Sequence, residues 1–246
     1  MFLLGNQKYN PPIINEFDFT GSAIGVGAIT ITNDGFVVLI RRAGWTGEGA
    51  NMIDRPGGHP EPDDALKLFH LEEEEPSYKE GESNKHGEVS EDHSKYAMLT
   101  SSDVKREIFE SVRKELRDEI NVQLEDQEPP RLLGEIRTMA RAGRCGLDFL
   151  IRLKINKEGV QHRYLTGKQP EADESVHLIF IPLNVIESWW FTEDTEIPKQ
   201  FEDNNIAHTS YSTNLNHNLM QMYSEMTGHC QGGLRLLYLH LQKLKN

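Results

Sequence analysis

Residues 104–122 hold the pattern that most limits how this chain can fold. Val104, Ile108, Val112 and Leu116 recur at the spacing of one face of an α-helix, and Arg106, Arg113 and Arg117 fall opposite. Such a stripe has to be covered by an apolar sheet or another helix. Yet Glu115 and Glu119, four residues apart, lie on the same stripe. A carboxylate buried without a partner is costly or changes its protonation state. Spacing alone leaves two readings open: a solvated acidic helix end, or a carboxylate pair gathered around a cation.

The surface that covers the helix is expected from the β-rich segments. Residues 23–42 read as a hairpin, two runs flanking Asn33-Asp34-Gly35. A glycine- and proline-rich loop follows at 44–62, with a short strand at 51–54 and a short helix at 63–71. Thr100, Ser101 or Ser102 caps the long helix, which ends near Ile120. Further strands are expected at 131–138, 147–155 and 175–183, and short helices around 158–166 and 185–191. Residues 192–216 read as loop, and an amphipathic helix at 232–244 closes the chain. The order predicts an α+β fold, a mixed sheet packed between helices, in a single domain over 1–246.

Charge is unevenly spread. Residues 61–100 hold 12 acidic residues against 4 lysines, −8 of the chain's net −13. With so few apolar residues, the 63–100 segment is expected to be a mobile acidic insertion, and the run at 72–75 a solvated one. The acidity argues against nucleic acid as a partner, which needs clustered Lys and Arg. No apolar run is long enough to span a bilayer, and the first residues lack the basic start and cleavage site of a signal peptide. Two cysteines, Cys145 and Cys230, exclude a disulfide framework and fit a reducing, cytoplasmic or nuclear setting.

The cation reading gains from "RPGGHPEP" at 55–62. Pro56-Gly57-Gly58 permits a bend in which main chain approaches a ligand. Followed by Lys-Glu-Leu-Arg-Asp-Glu-Ile-Asn-Val at 114–122, it resembles the Nudix box, G-x5-E-x7-R-E-U-x-E-E-x-G-U, U being a bulky aliphatic. The resemblance has departures. Lys114 stands for Arg, Asp118 for Glu and Asn121 for Gly, and the position of the early box glutamate falls on Arg106, one step from Glu107. Gly58 and Lys114 are 56 residues apart where the box needs 14, so 42 residues interrupt it. Loop closure rises only logarithmically with length, so an insertion there is tolerable. Together with "GVGA" at 25–28, "LLG" at 132–134 and "AGR" at 142–144, the set resembles the UDP-glucose pyrophosphatase branch of the Nudix hydrolases, over roughly 25–185. Members of that branch carry a sizeable segment before the "GVGA" strand, where 24 residues precede it here.

That resemblance implies a Mg²⁺-dependent (or Mn²⁺-dependent) hydrolase of UDP-glucose or UDP-galactose, giving UMP and a sugar 1-phosphate. It implies metal on Glu115 and Glu119 with Asp118 as a further ligand, and a turn shaped by Gly57 and Gly58. Arg137 and Arg144 would hold phosphate oxygens, and Asp148 would act as another ligand or base. Spacing alone leaves the arginines as surface charge and Asp148 as a residue bonded to nearby backbone. Trp45, Tyr164, Trp189 and Trp190 are candidates for stacking on a base, against a plain core role, and His59 lies inside the motif. Two other functions stay open: a Nudix hydrolase of another nucleotide derivative such as ADP-ribose, and an inactive Nudix-fold binding module. The preferred sugar and the oligomeric state are not legible.

Overall fold

The computed structural model describes residues 24–47, 49–68, 99–138, 144–188 and 221–245. Its first hairpin joins β1 (Gly25–Ile31) to β2 (Phe36–Arg42) through the expected Asn-Asp-Gly turn, where Gly35 takes a φ of 85°. That left-handed value is the conformation glycine adopts without strain. The two strands then splay. They pair only at Thr30 with Val38 and Ile31 with Val37. β3 (Ile53–Asp54) pairs with β2 at Ile40 and Arg41, and β4 (Gly57–Gly58) pairs with β1 at Val26 and Gly27.

The outer edges of the hairpin are taken. β7 (Ser175–Pro182) runs antiparallel along β2 from Phe36 to Arg42, and β6 (Arg144–Arg152) runs parallel to β1 over all seven of its residues. Residues 53–58 therefore occupy the gap inside the splayed hairpin, tied to one strand at each end. β5 (Arg131–Thr138) completes the mixed sheet beside β6, with a register shift between Leu132 and Gly134.

Alternation along the strands gives the sheet two apolar faces. Val26, Ala28, Val38, Ile40, Phe149 and Ile151 meet Val112, Leu116 and Ile120 of α2 (Ser101–Ile120), each of them buried. Phe109 adds an edge-on contact with Phe149, ring centres 4.9 Å apart. On the other face Ile29, Ile31, Leu39 and Leu150 meet Leu234, Leu237 and Leu241 of the closing helix, Gly228–Lys245. Counting α1 (Pro62–Leu68), α3 (Lys157–Thr166) and α4 (Leu183–Ser188), that helix is α5. Helices thus cover both faces, the α+β sandwich the sequence predicts. No described helix is long and apolar enough to cross a membrane.

Three details depart from expectation. Val104, in the first turn of α2, is 47% exposed, and the apolar stripe is covered only from Ile108 onward. β6 begins at Arg144 rather than 147, since Thr138 and Arg137 of β5 pair with Arg144 and Cys145 and extend the ladder. α5 begins at Gly228, four residues before the predicted start. The helix read at 63–71 is α1, ending at Leu68. Residues 69–98 of the acidic insertion, Trp189 and Trp190, and the loop read at 192–216 lie outside the described residues.

Candidate functional site

α2 is fixed at both ends. Thr100 Oγ1 accepts the Asp103 N–H, and Asp103 Oδ2 in turn accepts the Thr100 N–H at 2.8 Å, a complete capping box. At the other end Asn121 closes the helix with φ 58° and ψ 30°. This is the position where the motif carries glycine, and asparagine is among the few other residues that adopt the left-handed conformation readily. Asn121 Nδ2 also donates to the Arg163 carbonyl at 2.9 Å. The departure from the motif therefore preserves its backbone geometry.

The last two turns of α2 lie against β4. Glu119 is 1% exposed, and its Oε2 accepts the Gly57 N–H at 2.9 Å. Glu115 is half-buried and accepts the His59 N–H. A methyl group on Gly58 would lie 2.5 Å from Glu115 Oε1, so a larger residue there would displace that carboxylate. One on Gly57 would fall on the Val26 carbonyl oxygen. Both glycines are needed for contact: Gly57 with the neighbouring strand, Gly58 with the acidic helix.

Burial pushes both carboxyls up, Glu115 to about 7 with added repulsion from Glu171, and Glu119 well above its ordinary value with added repulsion from Glu115. Only backbone N–H groups and more distant cations oppose this. Among the described residues neither glutamate forms an ion pair. Glu171, which sequence reading passed over, belongs to the same patch. Its N–H donates to the Asp118 carbonyl at 3.0 Å, and its own carboxyl is raised by burial and by Glu174 and Asp118. It sits in a polar turn between α3 and β7, where no local pattern marks it.

The other predicted residues are placed as follows. Asp118 is buried and takes two hydrogen bonds from its neighbour Arg117, at 2.7 and 3.0 Å. Lys114 pairs with Asp64 of α1, on the far side of the insertion. Glu107 is buried and accepts the Glu61 N–H, while Arg106 is exposed, so the helix turns the glutamate inward at the displaced box position. Arg144 lies at the same end of the sheet as the glycine turn, where its charge lowers the pKa of His59 after the effect of burial. Arg137 is exposed and pairs with Glu135 at 2.5 Å.

Asp148 is not brought to the glutamates. Its neighbours Phe149 and Ile151 alternate onto the α2 face, which sends Asp148 to the α5 face, fully buried. There it accepts Nε and Nη2 of Arg55, at 3.1 and 2.9 Å. The ligand-or-base expectation for Asp148 has no support in this placement, because a salt bridge occupies it on the opposite side of the sheet. Trp45 is 72% exposed beyond β2. Tyr164 packs in the α2-face core with its hydroxyl bonded to Ser175.

Can this arrangement hold an ion? Among the described residues no three His, Cys, Asp or Glu side chains are grouped tightly enough to hold one unaided. A carboxylate pair beside a third acid, without an ion pair among the described residues, still suits Mg²⁺. That ion typically takes one or two carboxylates and completes its shell with water and substrate phosphates.

Comparison with known proteins gives a sequence match and a weaker structural one. No family model matches the chain. Over 175 residues, 71% of this chain, it is 33% identical to the uridine diphosphate glucose pyrophosphatase NUDT22 of Mus musculus and 31% identical to that of Homo sapiens. The matched part is 49% and 50% of those proteins, so the chain spans about half the length of the curated relatives it matches. Among solved structures, the MutT protein of Methanosarcina mazei Go1 aligns with 81% of this chain and 93% of its own, at 12% identity and a TM-score of 0.36, too slight an overlap to carry an assignment. The sequence match and the interrupted box together give the chain a likeness to the Nudix hydrolase superfamily. Within it, the matched region is similar to the UDP-glucose pyrophosphatases.

Proposed function

We propose that this protein hydrolyses the diphosphate of a UDP-sugar, UDP-glucose or UDP-galactose, to UMP and the sugar 1-phosphate in a Mg²⁺-dependent reaction. The observation that carries the proposal is the pair Glu115 and Glu119, packed against Gly57 and Gly58 and without an ion pair among the described residues. When bound there, the ion neutralises the diphosphate and stabilises charge at the phosphorus under attack; Mn²⁺ is a chemical substitute.

The residues divide the work. Glu119 fixes the ion's place relative to the main chain, because its other oxygen is tied to Gly57. Glu115 is the more exposed of the two and faces incoming substrate. Arg144, beside His59, supplies a guanidinium for phosphate oxygens at the same mouth. Glu171 adds a third negative charge and is available to accept a proton from the attacking water. Asp118, already held by Arg117, serves the ion through its charge rather than as a direct ligand. The free Cys145 and Cys230 accord with a cytoplasmic setting.

A single observation favours a binding module without turnover: the Asp118–Arg117 pair takes one motif carboxylate out of play. The test is incubation with UDP-glucose and Mg²⁺, products resolved by chromatography. UMP with glucose 1-phosphate, lost in Glu119→Gln, supports the hydrolase. Absence of turnover across a panel of nucleotide sugars and ADP-ribose, with Mg²⁺ still bound, would favour the module.

A further inference from the structure

Arg55 lies two residues before Gly57 and anchors the opposite face of the sheet. Its guanidinium passes over Gly27, where a side-chain methyl would overlap Nε and Cζ. Nε and Nη2 both reach Asp148 Oδ1, and Nη1 reaches Asp54 Oδ1 at 3.2 Å. Asp54 also accepts the Arg55 N–H at 2.9 Å. The next residue, Pro56, accepts the Ala28 N–H at 2.8 Å, and then Gly57 gives its N–H to Glu119. Across three residues the chain is gripped from the α5 side, from β1 and from the α2 side.

This grip is poorly explained as stability. Buried ion pairs often return less than they cost in desolvation, and apolar replacements of similar volume are frequently neutral or better. Here the pair also requires two positions without side chains, Gly27 under the guanidinium and Gly233 of α5 against Asp148 Oδ2. Among the described residues Oδ2 has no hydrogen-bond partner.

We infer that Arg55 and Asp148 are positioning residues for the proposed metal site: they hold residues 53–58 in the splayed hairpin so that the Gly57 N–H meets Glu119. The inference rests on the metal reading of Glu115 and Glu119. It assigns a role to Asp148 that needs no contact with ion or substrate.

The test compares the wild type with an Arg55→Met plus Asp148→Leu double variant, which removes both charges at similar volume, and with Arg55→Lys, which keeps the charge and loses the fork. Three quantities are read: amide exchange at Gly57, calorimetric Mn²⁺ affinity and UDP-glucose turnover. In the double variant, Gly57 exchange should rise by about tenfold or more and Mn²⁺ affinity fall by about 10–100-fold, as for other residues that orient metal ligands. Amides of β6 should keep their protection. Arg55→Lys should shift the same quantities in the same direction by less, and it carries the test if the double variant does not fold. Unchanged Gly57 exchange and Mn²⁺ affinity, or exchange that rises equally throughout β6 and α2, would overturn the positioning role alone. A wild type that binds no Mn²⁺ would overturn the metal reading and the positioning role together.

Discussion

On the α5 side of the sheet, Asp54 and Asp148 are buried against Arg55. On the α2 side, a few residues away, buried Glu119 and half-buried Glu115 accept backbone N–H groups and form no ion pair among the described residues. Both pairs face the same penalty for removing carboxylates from water. One side meets it with a cation from the chain, whose positive charge Asp148 and Asp54 strengthen against the opposing effect of burial. The other side has no ion pair among the described residues, and its carboxyls rise under burial with added repulsion from neighbouring acids, whereas at Asp148 the rise that burial causes is opposed by Arg55. A compensated cluster is architecture. An uncompensated one, enclosed by glycines and open at Glu115, needs a ligand to complete it.

The comparison breaks most sharply at Glu119. Glu119→Gln should lower UDP-glucose turnover by about 10²-fold or more, several kcal/mol of lost charge stabilisation, in a steady-state product assay. The metal-free protein should not lose stability, since the substitution removes a charge from a buried site. On the compensated side the outcome should invert. Arg55→Ala leaves Asp148 buried and unpaired and should cost about 3–5 kcal/mol in denaturant unfolding.

The pH dependence sharpens the contrast. Glu115 has a folded pKa raised to about 7, so its neutral form is favoured by folding. Its contribution is complete below the unfolded carboxyl range and lost as pH rises through about 7. The metal-free protein should therefore unfold at lower temperature at pH 8 than at pH 5, roughly the window these values set. Glu115→Gln should flatten that slope. So should saturating Mg²⁺, which favours the ionised form. A wild-type slope that neither change affects would place the titration elsewhere.

How much of this was legible beforehand depended on whether a residue's environment was local. The 3.6-residue stripe at Val112 and Leu116 found α2, and Asn-Asp-Gly found the first hairpin, because both signals sit within a few positions. The pairing of β1 with β6 is parallel and spans more than a hundred residues, so no turn announces it. β4 is two glycines with no strand propensity, created by the gap in the splayed hairpin. Glu115 and Glu119 were readable from spacing plus motif, whereas Glu171 arrives from a polar turn that only tertiary contact with Asp118 defines. Arg55 read as part of a loop and Asp148 as a candidate ligand. Neither side chain reveals its partner until the sheet sets which face each occupies.

The smallest effect concerns the helix end. Asn121→Ala should cost about 1–2 kcal/mol, from the left-handed backbone and the lost bond to Arg163. Asn121→Gly should recover the backbone part alone, and thermal unfolding of the three proteins separates the two contributions.

The most direct test of the central claim is Mg²⁺-dependent thermal stabilisation, measured in the wild type and in Glu115→Gln plus Glu119→Gln. The account predicts that added Mg²⁺ raises the unfolding temperature of the wild type and leaves that of the double variant unchanged. Equal stabilisation of both proteins would contradict it and put the ion somewhere other than between α2 and the glycine turn.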